Sequence, residues 1–195
     1  MHFMMYFYKI SLKSSYIHPS SNHTKSRSRS SASAYYLIKD MIVMEDKTVI
    51  WIDSREKAND HICDAFSKHN IKYFVSKLFV GDYMSMDNTR LVIERKASFL
   101  EIANNLGREH QRFKEELRRC TNYGIHMIIL IEEGSSLDDI KAWVNPYKKK
   151  YPRAVTGETI YKILQSYMQY YNVEVQFTTK NESADRILEL LKAAG

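Results

Sequence analysis

Short apolar runs alternate with amphipathic segments along most of the chain, from about residue 46 to its end. Runs of β-branched and apolar residues predict strands, and apolar residues spaced three or four apart predict helices. The predicted strands cover residues 48–53, 71–80, 90–96, 125–133 and 173–178. The predicted helices cover residues 58–70, 98–121, 137–143, 160–171 and 182–194. The two kinds of element therefore alternate, without internal repeats.

This alternation is typical of an α/β fold in which helices cover both faces of a mixed sheet. A length of 195 residues suits one globular domain with an additional tail. The longest apolar runs, such as residues 127–131, are far shorter than the roughly 20 residues that a membrane span needs. We therefore expect one domain over residues 46–195 and no association with a membrane.

Residues 1–45 differ from this domain in composition. The segment SSNHTKSRSRSSASA is Ser-rich, basic and without apolar periodicity, so we expect disorder over residues 11–34. Residues 1–40 hold six of the 29 basic residues and one acid, so most of the net charge of +6 belongs to this tail. Either the tail is part of the protein, or translation begins at Met41 or Met44, and the sequence leaves both readings open.

The stretch LVIERKASFL, residues 91–100, places three consecutive charges at the end of an apolar strand. Charges that enter a buried strand cost several kcal/mol unless they are paired or bind a metal ion. Because side chains alternate along a strand, Glu94 and Lys96 share one face and Arg95 points to the other. Upstream, Asp82 lies in a GDY turn, separated from Glu94 by a predicted hairpin. The pattern is an aspartate, a hairpin, and then Glu-x-Lys.

The two carboxylates of this pattern predict a cation site. Carboxylates about 4 Å apart repel each other by roughly 4 kcal/mol at an effective dielectric constant of 20. Asp82 and Glu94 therefore need either a shared proton or a divalent cation. Oxygen ligands favour a hard cation, which makes Mg²⁺ or Mn²⁺ the expected cofactor.

Asp82 followed by Glu94-x-Lys96 resembles the PD-(D/E)xK nuclease motif, and the surrounding sequence resembles the XPF-type structure-specific endonuclease domain of that superfamily. The resemblance covers roughly residues 49–191 and includes a downstream helix that opens with Gly-Arg. It implies a restriction-endonuclease-like three-layer α/β/α fold with a central mixed sheet, in a stand-alone form without helix-hairpin-helix modules. The motifs that carry the resemblance, in the order of the family, are Asp53-x-Arg55-Glu56, Gly81-Asp82-Tyr83 and Glu94-Arg95-Lys96.

The resemblance implies metal-assisted hydrolysis of a phosphodiester. Asp82 and Glu94 would bind the metal ion together with the backbone carbonyl of Arg95, and Asp53 would be a further ligand. Lys96 would orient or help deprotonate the attacking water and stabilise the transition state.

Other motif residues are expected to surround this centre. Glu56 would add to the acidic cluster, and Arg55 would contact a phosphate because its planar fork suits a pair of phosphate oxygens. Tyr83 is a further candidate DNA contact. Arg95, on the opposite face of its strand, is expected to pair with an acid on a helix. The spacing Asp53-x-x-Glu56 also fits a capping pattern at the next helix, so that reading stays open.

Candidate DNA contacts also come from two basic regions. Arg108 and Arg112 lie on the helix after the Glu-Arg-Lys motif, where neighbouring acids make an ordinary solvated face an equal explanation. The segment NPYKKKYPRAV interleaves tyrosines with basic residues, which suits the phosphates and bases of a flexible strand. Solubility alone also explains such a run of lysines. The candidates in this segment are Lys148, Lys149, Lys150 and Arg153.

One position departs from the family pattern ERKxxxD. Its seventh residue is Leu100, and Glu101 follows, so a one-residue insertion would align Glu101 with the family acid. Ser98-x-x-Glu101 is also a capping box, which gives Ser98 and Glu101 a structural role at the start of a helix.

These features predict a metal-dependent endonuclease that cuts branched, flapped or single-strand-containing DNA in repair, recombination or phage replication. Two alternatives stay open. One is an inactive member that binds branched DNA or partners an active nuclease, and the other is an α/β interaction domain whose charged strand end is a structural ion pair. DNA is the expected partner, a homodimer is an open option, and no small-molecule cofactor is expected. Cys63 and Cys120 lack metal-binding spacing and are expected to be reduced thiols in the cytoplasm, at the nucleoid if the protein is microbial or phage-encoded.

Overall fold

The computed structural model describes residues 48–107 and 109–193, so the predictions for the tail lie outside the described residues. The strands are β1 (Ile50–Asp53), β2 (Tyr73–Ser76), β3 (Tyr83–Ser85), β4 (Leu91–Lys96), β5 (His126–Ile131) and β6 (Val173–Phe177). The helices are α1 (Asp60–Lys68), α2 (Phe99–Gly107), α3 (His110–Tyr123), α4 (Leu137–Ala142), α5 (Gly157–Tyr170) and α6 (Ser183–Ala193).

The strands form one mixed sheet in the order β2-β1-β3-β4-β5-β6. β1 runs parallel to β2, and β4, β5 and β6 run parallel to one another. The short strand β3 is antiparallel to both of its neighbours, β1 and β4. This sheet, flanked by helices, confirms the predicted α/β fold.

The helices cover both faces of the sheet because the central strands are apolar on both faces. In β5, Met127 and Ile129 pack into the core beneath α2, α3, α4 and α5, whereas Ile128 and Leu130 pack beneath α1 and α6. In β4, Val92 faces the first core and Ile93 the second. The alternation of side chains along β4 therefore directs Glu94 and Lys96 towards α2 and α3, and Arg95 towards α1 and α6.

One prediction about helices is wrong, and one alternative that the sequence left open is excluded. The single helix over residues 98–121 is two helices, because α2 ends at Gly107 and α3 begins at His110. Glycine has a low helix propensity and is common where helices end. Asp53-x-x-Glu56 does not cap α1, because that helix begins at Asp60, after Asn59.

The apolar face of α5 belongs mainly to the core. Leu164 and Tyr167 are buried, with 1% and 4% of their surface exposed, and they pack with residues of α2 and α3. Tyr161 and Met168 are partly buried. The core therefore accounts for the two central residues of this face.

None of the helices within the described residues is long and apolar enough to cross a membrane.

Candidate active site

The sequence motifs meet at one end of three neighbouring strands of the sheet, where β1 and β4 end and β3 begins. Ile52 of β1 pairs with Tyr83 of β3, and Tyr83 pairs with Ile93 of β4. The residues next to these pairs are Asp53, Asp82 and Glu94, so the three motifs meet although they are far apart in the chain. The backbone amide of Asp53 donates to the carbonyl oxygen of Asp82 at 2.8 Å, which joins the first motif to the second.

Asp82 is held in place through its backbone and its side chain. Its amide donates to the carbonyl of Ile93 at 2.8 Å, and its Oδ2 accepts from the amide of Arg95 at 2.8 Å. Gly81 precedes it with a φ of +70°, and a Cβ built there would lie 2.9 Å from the Cβ of Val92. Only glycine adopts this conformation so close to β4 without strain, so Gly81 fixes the direction in which Asp82 points.

Glu94 and Lys96 form a buried ion pair on the face of β4 that looks towards α2 and α3. Lys96 Nζ lies 2.6 Å from Glu94 Oε1 and 3.7 Å from Glu101 Oε1, and Lys96 is 6% exposed. Burial alone would lower the pKa of Lys96, but the charges of Glu94 and Asp82 outweigh burial and raise it above its ordinary value. The side chain is therefore an ammonium group throughout the neutral pH range.

A polar cleft opens at this edge of the sheet, between β4, the GDY turn and helices α2 and α3. Its lining includes five carboxylates, which are Glu56, Asp82, Glu94, Glu101 and Glu116. Its lining also includes the cationic residues Arg55, Lys96 and Arg112, and Arg95, whose side chain points to the opposite face of β4. Charges of both signs at one concave site suit a ligand that combines a cation with phosphate oxygens.

The donor set of the cleft fits a magnesium or manganese ion. Burial and the nearby charge of Glu94 raise the pKa of Asp82 well above its ordinary value, so the two carboxylates repel each other when no cation lies between them. The described residues contain no group of three or more histidine, cysteine, aspartate or glutamate side chains arranged to hold a metal ion. The pair Asp82 and Glu94 suits Mg²⁺, because proteins usually bind it through one or two carboxylates, with water and substrate phosphates completing the shell.

Arg95 pairs with acids that lie in loops, so the prediction of a partner on a helix is wrong. Its Nε and Nη2 donate to the two carboxylate oxygens of Glu132, each at 2.7 Å, and its Nη1 donates to Glu56 Oε1 at 2.6 Å. Glu132 also lies 3.2 Å from His61 Nε2, and that ring nitrogen lies 3.2 Å from Ser183 Oγ. The network ties β4 to α1 and α6 from behind the cleft.

Asp53 does not point into the cleft with the other acids. Its two oxygens accept from the Arg55 backbone amide at 2.7 Å, from Arg55 Nε and Nη2 at 2.8 Å each, and from the Leu78 amide at 2.7 Å. A carboxylate with four such donors has no free lone pair for a metal ion, so we leave Asp53 out of the proposed ligands. Arg55, whose side chain is 53% exposed, reaches the lining of the cleft.

Of the remaining predicted DNA contacts near the cleft, one is wrong and one lies outside the described residues. Tyr83 is 0% exposed and packs in the core beneath α1 and α6, so its ring cannot reach DNA. Arg108 lies outside the described residues. Arg112 lines the cleft and is exposed, where it forms an ion pair with Glu109.

The start of α2 carries the capping residues. Ser98 Oγ accepts from the Glu101 amide at 3.2 Å, and Glu101 Oε2 accepts from the Ala97 amide at 2.9 Å. The other oxygen of Glu101 faces Lys96. One carboxylate therefore both caps the helix and reaches the cleft.

Two buried acids were missed by sequence reasoning. Glu116 is 7% exposed, and its Oε1 accepts from the Gly81 amide at 2.9 Å. Its signal was present, because it lies on the same face of α3 as Phe113, Leu117 and Cys120, which makes it a charge within an apolar stripe. Glu132 had a similar signal, since it directly follows a buried strand.

The sheet topology and the Asp, hairpin, Glu-x-Lys arrangement at its edge define an α/β fold of the PD-(D/E)xK class. The ERCC4 domain family matches residues 52–190. The match covers well over half of the chain, so the protein belongs to the ERCC4 family of XPF-type nuclease domains.

Two solved structures share the fold of this chain. XPF from Aeropyrum pernix is 16% identical with a TM-score of 0.55, and the match covers 75% of this chain and 64% of that one. A second structure, XPF from Aeropyrum pernix in complex with DNA, is 17% identical with a TM-score of 0.54 and the same coverage. The chain thus spans less than two thirds of the length of these XPF chains. Comparison with curated protein sequences gives no match.

Proposed function

We propose that the protein is a metal-dependent endonuclease that hydrolyses phosphodiester bonds in branched, flapped or single-strand-containing DNA. The observation that supports this most directly is that Asp82, Glu94 and Lys96 line one polar cleft at the edge of the sheet. The related XPF structure in complex with DNA supports DNA as the partner. Repair, recombination and phage replication are the processes that supply such substrates.

Asp82 and Glu94 are the proposed ligands of a magnesium or manganese ion. Such an ion, when bound, supplies a Lewis acid that activates water and neutralises charge on a phosphate. Asp82 is already oriented for this role by the amide of Arg95. Glu94, whose Oε1 lies 2.6 Å from Lys96 Nζ, would be the second ligand of such an ion.

Lys96 and the cleft arginines act on the substrate. Lys96 carries a positive charge in a buried position, where it stabilises negative charge that develops on the phosphate and orients the attacking water. Arg55 and Arg112 lie at the same cleft with exposed side chains, so each can bind a phosphate oxygen of the DNA strand.

The structure bears on the alternative of an inactive family member. That alternative drew on Leu100, which occupies the position of the family acid. Glu101 lines the cleft 3.7 Å from Lys96, so an acid is available at this place after all. This observation favours an active enzyme.

Cleavage assays with the full chain test the proposal. Labelled flap, fork, four-way junction and plain duplex DNA are incubated with Mg²⁺ or Mn²⁺, and binding is measured in parallel. We expect metal-dependent cutting that Asp82→Ala and Lys96→Ala abolish while DNA binding persists. Asp87→Ala and Lys68→Ala, which alter exposed residues away from the cleft, are the matched controls. No cutting with either metal, with binding retained, would favour the inactive reading, and loss of binding in both variants would move these residues from catalysis to recognition.

A further inference from the structure

A groove lies beside the cleft, between helix α2 and the loop over residues 144–156. One side is formed by Ala103, Asn104 and Gly107 of α2. The other side is formed by the loop, with Tyr147, Tyr151 and Arg153 among its lining residues. The proposed catalytic residues take no part in this groove.

The loop has a defined conformation that its own side chains maintain. Asn145 is 7% exposed, and its Nδ2 donates to the carbonyl of Val155 at 2.8 Å while its Oδ1 accepts from the amide of Tyr147 at 2.9 Å. Lys148 Nζ donates to the carbonyl oxygens of Pro152 at 2.6 Å and Ala154 at 3.1 Å. Lys148 therefore holds the loop together, and its ammonium group is engaged with the backbone.

The surface of the loop combines aromatic rings with positive charge. Tyr147 and Tyr151 are 50% and 55% exposed, so both rings are open to solvent. Lys149, Lys150 and Arg153 are exposed, and residues 144–156 contain no acid. Lys150 Nζ lies 5.4 Å from the centre of the Tyr151 ring. Exposed rings beside exposed cations match the bases and phosphates of a single strand, because only unpaired bases offer their faces for stacking.

Helix α2 connects this groove to the cleft. Glu101 and Asn105 of α2 line the cleft, and Asn104 and Gly107 of the same helix line the groove. An α-helix is about 10 Å in diameter, so the two sites are separated by little more than the width of one helix. A DNA strand with one phosphate in the cleft can cross α2 and reach the tyrosines.

We propose that this groove binds an unpaired segment of the DNA strand next to the phosphate that is cut. The tyrosines stack on bases, and Lys149, Lys150 and Arg153 bind phosphates. Among the DNA substrates of the proposed nuclease, this groove favours those that carry a single-stranded arm. The consequence for cleavage rests on the proposed nuclease function, whereas the binding of single strands does not.

The binding test uses the full chain without metal ions and a labelled oligothymidylate, with a duplex of equal length for comparison. The variant with both Tyr147→Ala and Tyr151→Ala should bind the single strand about 5-fold or more weakly, and the duplex with little change. The variant with both Tyr147→Phe and Tyr151→Phe keeps the rings and should bind like the unaltered chain. Tyr170→Ala removes a tyrosine that is 70% exposed on α5 and is the matched control.

The lysines are tested through the salt dependence of the same binding. Replacing Lys149 and Lys150 by alanine should reduce the slope of log affinity against log salt by about 0.7 for each phosphate that the variant no longer binds. Lys68→Ala with Lys72→Ala, two exposed lysines outside the groove, should leave the slope unchanged.

The outcomes separate this proposal from the nuclease proposal. If the chain cuts no DNA but binds single strands through the tyrosines, the groove is supported and the nuclease is not. If the chain cuts DNA and the alanine variant keeps both its single-strand affinity and its preference for flaps over duplex, the groove proposal is overturned. The absence of measurable single-strand binding by the unaltered chain would overturn it as well.

Discussion

Glu116 of α3 accepts a hydrogen bond from the backbone amide of Gly81 at 2.9 Å, directly before the proposed metal ligand Asp82. Burial and the charge of Glu94 raise the pKa of Glu116 above its ordinary value, so the protein tolerates an unfavourable position for this acid. The hydrogen bond ties the GDY turn to a helix on the other side of the cleft. Glu116 is therefore a positioning residue for Asp82.

Replacing Glu116 separates this role from simple packing. Glu116→Ala leaves a buried amide without its partner, which should cost about 1–3 kcal/mol of stability. If the loss of this hydrogen bond moves the GDY turn by about 1 Å, the cleavage rate should fall about 100-fold. Glu116→Gln retains an oxygen that accepts from Gly81 and should keep most of the activity.

Unfolding in denaturant and cleavage of flap DNA measure these two effects. Glu115→Ala is the matched control, because Glu115 is the preceding residue of α3 and lies exposed beside Arg118. Equal loss of activity in the alanine and glutamine variants would show that the charge of Glu116, and not its hydrogen bond, matters.

The pair between Arg95 and Glu132 should contribute strongly to stability. The side chains are 3% and 2% exposed, and the contact is bidentate. Removing one partner of a buried pair leaves an uncompensated charge and typically costs about 3–5 kcal/mol. Glu132→Gln should therefore lower the free energy of unfolding by about 3 kcal/mol.

Denaturant titration measures this loss, with Glu174→Gln as the control at an exposed acid of β6. A loss below about 1 kcal/mol would mean that Glu56, which also pairs with Arg95, compensates for the missing charge. Because Asp82 binds the amide of Arg95 and not its side chain, the remaining folded protein should still cut DNA.

Much of the fold could be predicted because the central strands are apolar on both faces. The strand with Met127, Ile129 and Leu130 must be covered by helices on each side, and the structure shows this. The break between α2 and α3 was missed, since the apolar spacing continues from Ile102 and Leu106 to Phe113 across the break. Gly107 was its main local signal.

The candidate site was predictable where its chemistry is local in the sequence. Glu94 and Lys96 share a face because of strand alternation alone. The same rule places Tyr83 on the face opposite to Asp82. The prediction that Tyr83 contacts DNA was wrong because that face is buried beneath α1 and α6. The contacts of Glu116 and Glu132 join residues 35 and 37 positions apart, so they depend on tertiary structure that no local pattern contains.

Asp53 gives a prediction about stability at acidic pH. Burial would raise its pKa, but the hydrogen bonds from Arg55 and the Leu78 amide outweigh burial and lower it. An acid whose pKa is lower in the folded state stabilises the fold above its unfolded pKa of about 4, and this contribution is lost as the pH falls through the folded pKa. The stabilisation that Asp53 provides should therefore be lost below about pH 4.

Unfolding free energies of the unaltered chain and of Asp53→Asn, measured over this pH range, test the assignment. The Asn variant should be less stable at neutral pH and should lose less stability on acidification. Asp87→Asn, at an exposed turn, should follow the unaltered protein. Parallel curves for the unaltered chain and Asp53→Asn would remove Asp53 as a source of the acid sensitivity.

Glu101 should take the role of the acid that the family carries at the position of Leu100. Its Oε1 lies 3.7 Å from Lys96 Nζ and its Oε2 is bound by the Ala97 amide, so the carboxylate is oriented towards the proposed catalytic lysine. Glu101→Ala should lower the rate of cleavage by about 10- to 100-fold, the usual loss when an outer partner of a metal site is removed. The dissociation constant for DNA should change little, because the acid does not bind phosphate.

A second substitution tests whether the acid has been displaced by one residue. Successive helix positions differ by about 100° around the axis, so an aspartate at position 100 should not reach Lys96 in this structure. Leu100→Asp added to Glu101→Ala should therefore restore no activity, whereas Glu101→Asp should restore part of it. Rates at saturating and limiting DNA separate catalysis from binding. Recovery of full activity by Leu100→Asp would show that the position of the family acid is retained and that Glu101 only caps α2.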